Sequence, residues 1–171
     1  MHRFEPLSAA HFKPLPSFLE SKRAIINIQN NDQRCFAYAL LSALKPHVKR
    51  PNRANSYIEF LQSYGLNGIS YPIQPSELPA LEEKLRLRIN LFSFYDDKGQ
   101  ARYPLYISKQ SEEYTEIDLL YWEGHYAWIK NFPRFICDVR HKHDKRFLCK
   151  RCFGVLISES FQSLPKTMFP G

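Results

Sequence analysis

No run in these 171 residues approaches the roughly 18 consecutive apolar positions of a membrane span. The opening Met1-His2-Arg3-Phe4-Glu5-Pro6 also lacks the apolar core of an export signal. Both absences lead us to expect a soluble, intracellular protein, cytoplasmic or nuclear, with no membrane partner. Repeats, low-complexity tracts and linker-like stretches are missing too, so a single core-forming domain is the economical expectation. Cysteine is sparse, at 4 residues, and without an export signal free thiols or metal ligands are expected in preference to disulfides. Acidic residues are outnumbered, 17 against 24 basic ones, for a formal net charge of +7. The excess is uneven: Arg140 to Arg151 is strongly basic, whereas Glu112 to Asp118 is acidic. The basic run suits either nucleic acid or a solvated loop.

What is present begins with Asn30-Asn31-Asp32-Gln33-Arg34-Cys35-Phe36, a polar turn leading into an apolar helix. Asp32 reads as its N-cap, and Phe36, Leu40, Leu41 and Leu44 form a stripe at helical spacing. A thiol in the first turn lies over unpaired backbone N–H groups, at the end of the helix dipole that favours thiolate. Cys35 is therefore a candidate nucleophile, with a small buried helix residue as the alternative. Its candidate base is His125, which follows Gly124 and opens the strand-like His125-Tyr126-Ala127-Trp128-Ile129. A hydrogen-bonded surface histidine is the competing reading. The order, cysteine at a helix start and histidine much later at a strand start, is that of papain-like enzymes. Asn30 is the candidate side-chain donor to an oxyanion, or else a turn residue bonded to nearby backbone.

The rest reads as α+β, with helices first and an antiparallel sheet after. Residues 1–23, with Pro6, Pro14 and Pro16, form an extended lead-in, and residues 24–171 form the domain. A short strand is expected at 24–28, a second helix through Ile58, Phe60, Leu61 and Tyr64 to Gly65, and a third at 76–85 capped by Ser76. Strands follow at 87–95, at 103–108 as a proline-bearing edge, and on both sides of Gly124. At the C-terminal end, within about 137–155, Cys149-Lys150-Arg151-Cys152 has the spacing with which two thiolates grip zinc. Cys137, His141 and His143 lie upstream as completing ligands of a structural zinc ion. The alternative is a reduced cysteine pair in a surface hairpin. Catalysis by a thiol needs no cofactor.

The run Ala24 to Phe36, the segment His125 to Asn131 and the Cys149/Cys152 pair together resemble a domain found in proteins of large self-synthesising DNA transposons. That domain is similar to deubiquitinases related to herpesviral large tegument proteins. The resemblance spans roughly residues 12 to 155. It implies a papain-like cysteine peptidase with helices packed on an antiparallel sheet, hydrolysing the bond after the C-terminal glycine of ubiquitin. Cys35 maps to the nucleophile and His125 to the base. The tegument enzymes carry an acidic residue two positions from the histidine; here 127 is alanine and Glu123 lies two before. The transposon-type motif instead points to Asn131 as the third residue, with Glu123 and Asp138 behind it. The relatives' paired cysteines continue into a histidine and a cysteine completing a zinc finger, which this sequence lacks. Two alternatives stay open: a non-catalytic zinc-knuckle module binding nucleic acid, and a cysteine hydrolase acting on another substrate.

Overall fold

The computed structural model describes residues 11–95, 101–137, 146–153 and 155–157. A five-stranded sheet forms the middle layer, in the order β1-β5-β4-β2-β3. These strands are β1 (Ile25–Ile26), β2 (Leu87–Phe94), β3 (Arg102–Tyr106), β4 (Thr115–Trp122) and β5 (His125–Ile129). Apolar residues at period 2 let β4 and β5 bury both faces. Ile117, Leu119 and Tyr126 join one core, while Leu120, Trp122, Ala127 and Ile129 join the other. The first core is closed by α2 (Cys35–Leu44), α3 (Phe60–Ser63) and α4 (Leu78–Leu85). The second is closed by α1 (Ser17–Glu20) and α5 (Phe132–Ile136), through Leu19, Phe132 and Phe135. Every residue of α2 from Cys35 to Ser42 is buried, because Ala37 and Ala39 widen the apolar stripe until it surrounds the helix.

The architecture is α+β, with one correction to the expected antiparallel sheet. β2 and β4 pair in parallel, from Leu87 opposite Thr115 to Phe92 opposite Leu120. β3 runs back along the outer edge of β2; the chain then steps to the other side of β2 and starts β4 in the direction of β2. Asn90, buried in β2, fastens that step by accepting from Ser108 N at 3.1 Å and donating to Glu116 and Asp118. Three local expectations also shift. The lead-in is not wholly extended, since 17–20 is helical. Gln74, not Ser76, starts the third helical segment, through a capping box with Glu77. Asp32 is not the N-cap of α2. Arg34 holds that position, and Asp32 Oδ1 accepts from Arg34 N at 3.0 Å while Tyr38 donates to Oδ2 at 2.8 Å.

At the C-terminal end, β6 (Arg146–Leu148) and β7 (Val155–Ile157) form an antiparallel hairpin. Its turn is held to the sheet by Lys150, whose Nζ lies 2.8 Å from Glu116 and 2.9 Å from Asp118, and by Phe153 against Phe92 and Phe132. Among the described residues, no helix is long and apolar enough to cross a membrane.

Candidate active site

The site forms where β1 ends early. Ile26 pairs with Trp128, but beyond it the β1 ladder with β5 stops, and the first residue of α2 lies against the start of β5. There the Cys35 thiol lies 3.8 Å from the Gly124 carbonyl oxygen. The backbone amides of Tyr126, Phe36 and Cys35 favour the thiolate, but burial outweighs them and the Asp32 carboxylate opposes it, so the thiol is pushed up to about 12. The thiolate expected from the helix terminus is therefore not the resting form: desolvation exceeds the dipole in this position.

His125 is fully buried, as is Cys35 to within 2%. Neither is a surface residue, and both contribute to the core. The imidazole stands edge-on to Trp122, at 4.8 Å between ring centroids, and to Phe12, at 6.3 Å. Burial pushes it down to about 4; the Lys13 ammonium acts in the same sense and the backbone of His11 against it. His125 Nε2 lies 2.8 Å from Asn27 Oδ1, and Nδ1 is buried without a hydrogen-bond partner among the described residues. Thiol and imidazole both rest neutral.

The residues named from sequence separate into two groups. The Cys35 thiol lies against the backbone on both sides of His125, at the Gly124 carbonyl and the Tyr126 amide. Asn131 is the N-cap of α5, its Oδ1 accepting from Arg134 N at 3.0 Å, and the partner of His125 is Asn27. Asn30 lies beside α2, where its Nδ2 donates to Asp32 O at 2.7 Å, the turn-forming arrangement, rather than standing free for an oxyanion. Glu123 pairs with Lys13. Sequence reading overlooked Asn27, for which the one signal was a polar residue inside the β-branched run 24–28. It also missed the lead-in: Phe12 N donates to Asn30 O at 3.2 Å and Asn27 Nδ2 to Lys13 O at 2.7 Å, so residues 12 and 13 lie against the site. A cavity of about 730 Å³ opens beyond Lys13, between Pro14, Tyr103, Trp122 and Glu123; neither Cys35 nor His125 lines it.

The metal candidates are split. Cys149 and Cys152 share the turn between β6 and β7, where the amides of Cys152 and Arg151 hold the Cys149 thiol below its ordinary range. That suits two ligands of a tetrahedral site. Cys137 closes α5, its carbonyl accepting from Lys22 Nζ at 2.7 Å. His141, His143 and Asp138 lie outside the described residues. Among the described residues, no three ligating side chains are grouped. Comparison of the chain with family models, curated proteins and solved structures finds no match.

Proposed function

We propose that this chain is a papain-like cysteine hydrolase that releases ubiquitin by cleaving the peptide or isopeptide bond after its C-terminal glycine, in the cytoplasm or nucleus. One observation carries the reading. A buried imidazole keeps one nitrogen hydrogen-bonded to an amide oxygen and the other without a partner among the described residues, directly after the glycine whose carbonyl contacts a thiol at a helix start. Structural histidines are normally satisfied at both nitrogens, so a bare buried Nδ1 fits a base awaiting a proton. The substrate class comes from the resemblance of the two motifs to tegument-related deubiquitinases.

In the proposed reaction, Cys35 Sγ attacks the glycine carbonyl carbon as its proton passes to His125 Nδ1. The Cys35 backbone N–H stabilises the oxyanion, together with Asn30 if its amide leaves Asp32. The tetrahedral intermediate collapses to a thioester, and the leaving amine takes the proton from the imidazolium. Water, activated by the neutral imidazole, hydrolyses the thioester. Because both groups rest neutral and buried, substrate must open this site before proton transfer becomes favourable.

Ubiquitin bearing a C-terminal electrophile should form one covalent adduct, read by intact mass, that Cys35→Ala abolishes with the other three cysteines present. Cleavage of ubiquitin chains should follow the same dependence. No adduct and no cleavage by folded protein would reject the proposal, and tight, salt-sensitive DNA binding in that case would favour the nucleic-acid reading. Thiol-dependent turnover of other acyl substrates alone would favour a different hydrolase.

A further inference from the structure

We infer that Asn27, fixed in place by lead-in residue Lys13, is the residue that positions His125, holding its proton on Nε2 and leaving Nδ1 as the base. Its consequence for turnover rests on the proposed hydrolase reading; the tautomer does not.

The argument starts at the amide. Asn27 Nδ2 donates to the Lys13 carbonyl oxygen at 2.7 Å, and only the amide nitrogen has a proton to give. This fixes which way the amide is turned, so the atom 2.8 Å from His125 Nε2 is the carbonyl oxygen, which can only accept. In a neutral imidazole one nitrogen carries the proton, so Nε2 donates and Nδ1 keeps its lone pair. Nδ1 is also the nitrogen with no partner among the described residues. Of the other candidates, the two among the described residues are engaged elsewhere, Asn131 with Arg134 N and Glu123 with Lys13.

The lead-in thereby becomes part of the site. The Lys13 side chain pairs with Glu123 in the turn before His125, while its carbonyl holds Asn27. The Phe12 ring, like Trp122, stands edge-on to the imidazole, and the Phe12 amide ties the lead-in to Asn30. A hydrogen bond shielded from water in this way is stronger and better oriented than an exposed one. Charged groups around the pair come from each side: Lys13 and Glu123 from the lead-in and turn, and Asp32 from the approach to α2.

Long-range proton–nitrogen NMR of ¹⁵N-histidine-labelled protein at neutral pH tests this directly. Wild type should show His125 as the Nε2–H tautomer, and Asn27→Ala should give a tautomer mixture. Asn27→Asp should keep the Nε2–H form and raise the His125 titration midpoint, because a carboxylate favours imidazolium; this variant decides the matter if Asn27→Ala does not fold. On a fluorogenic ubiquitin amide, Asn27→Ala should lower kcat on the order of 100-fold with little change in KM. Asn27→Asp should recover part of that loss. An Nδ1–H tautomer in wild type, or a His125 titration unmoved in Asn27→Asp, would overturn the inference. The expected tautomer without turnover of any ubiquitin substrate would instead overturn the hydrolase proposal.

Discussion

His125 should make the protein acid-sensitive in a way a single substitution removes. Its imidazole is fully buried and burial pushes its protonation down to about 4, against an ordinary 6.5 in the unfolded chain. Between those values the unfolded state binds a proton that the folded state refuses, so stability rises with pH. The contribution is fully present above about pH 6.5 and is lost as pH falls towards 4. A difference of about 2.5 pH units, at about 1.4 kcal/mol each, sets an upper bound of about 3.5 kcal/mol on the loss. That is a large fraction of a typical domain's stability. Urea denaturation of wild type and His125→Gln at half-unit steps from pH 4 to 7 measures it. Glu116, held below its ordinary range by Lys150, also loses stabilisation on acidification, but it is common to both proteins and cancels in the difference. The wild-type advantage over His125→Gln should shrink by 2 to 3 kcal/mol on going from about pH 7 to 4. A difference that stays flat over that range would show that the imidazole is not buried in its neutral form.

Three further outcomes are expected. Cys35, buried and pushed up to about 12, should resist iodoacetamide at pH 8 until the protein is unfolded, whereas exposed Cys152 reacts at once; rapid labelling of Cys35, read by peptide mass, would contradict the closed site. Lys150→Met should cost about 1 kcal/mol and speed amide exchange in the β6–β7 hairpin, because the Lys150 ion pairs are only partly shielded; unchanged exchange would show that Phe153 alone docks the turn. If the Cys149/Cys152 turn holds structural zinc, metal analysis should find about one equivalent, lost in Cys149→Ser, and well under one in wild type would refute it.

Much of the site was readable because its signals are local. The polar turn and the stripe from Phe36 to Leu44 announce the helix that presents Cys35, and Gly124 with alternating apolar residues announces the strand that His125 opens. What escaped depends on contacts distant in sequence. The parallel β2–β4 pairing turns on which side of β2 the chain takes after β3, and hydrophobic spacing carries no information about that choice. The resemblance points to Asn131, yet six residues of strand carry a side chain far out of reach of His125, and its position after β5 is spent capping α5. Asn27 reaches the imidazole only because β1 and β5 are neighbours. The burial of His125 likewise depends on Phe12 and Trp122 arriving from separate segments.

β1, which carries Asn27 into place, has a ladder with β5 of only two residue pairs, Ile25 with Ile129 and Ile26 with Trp128, at the outer edge of the sheet. Few hydrogen bonds and one free edge make it a natural place for local opening below the global unfolding free energy. Peeling that short strand would withdraw Asn27 from His125 and shift the approach to α2 while the central strands stayed paired. Function and fold should therefore fail in sequence: on gentle heating, activity is expected to disappear while the far-ultraviolet signature of the sheet and helices persists.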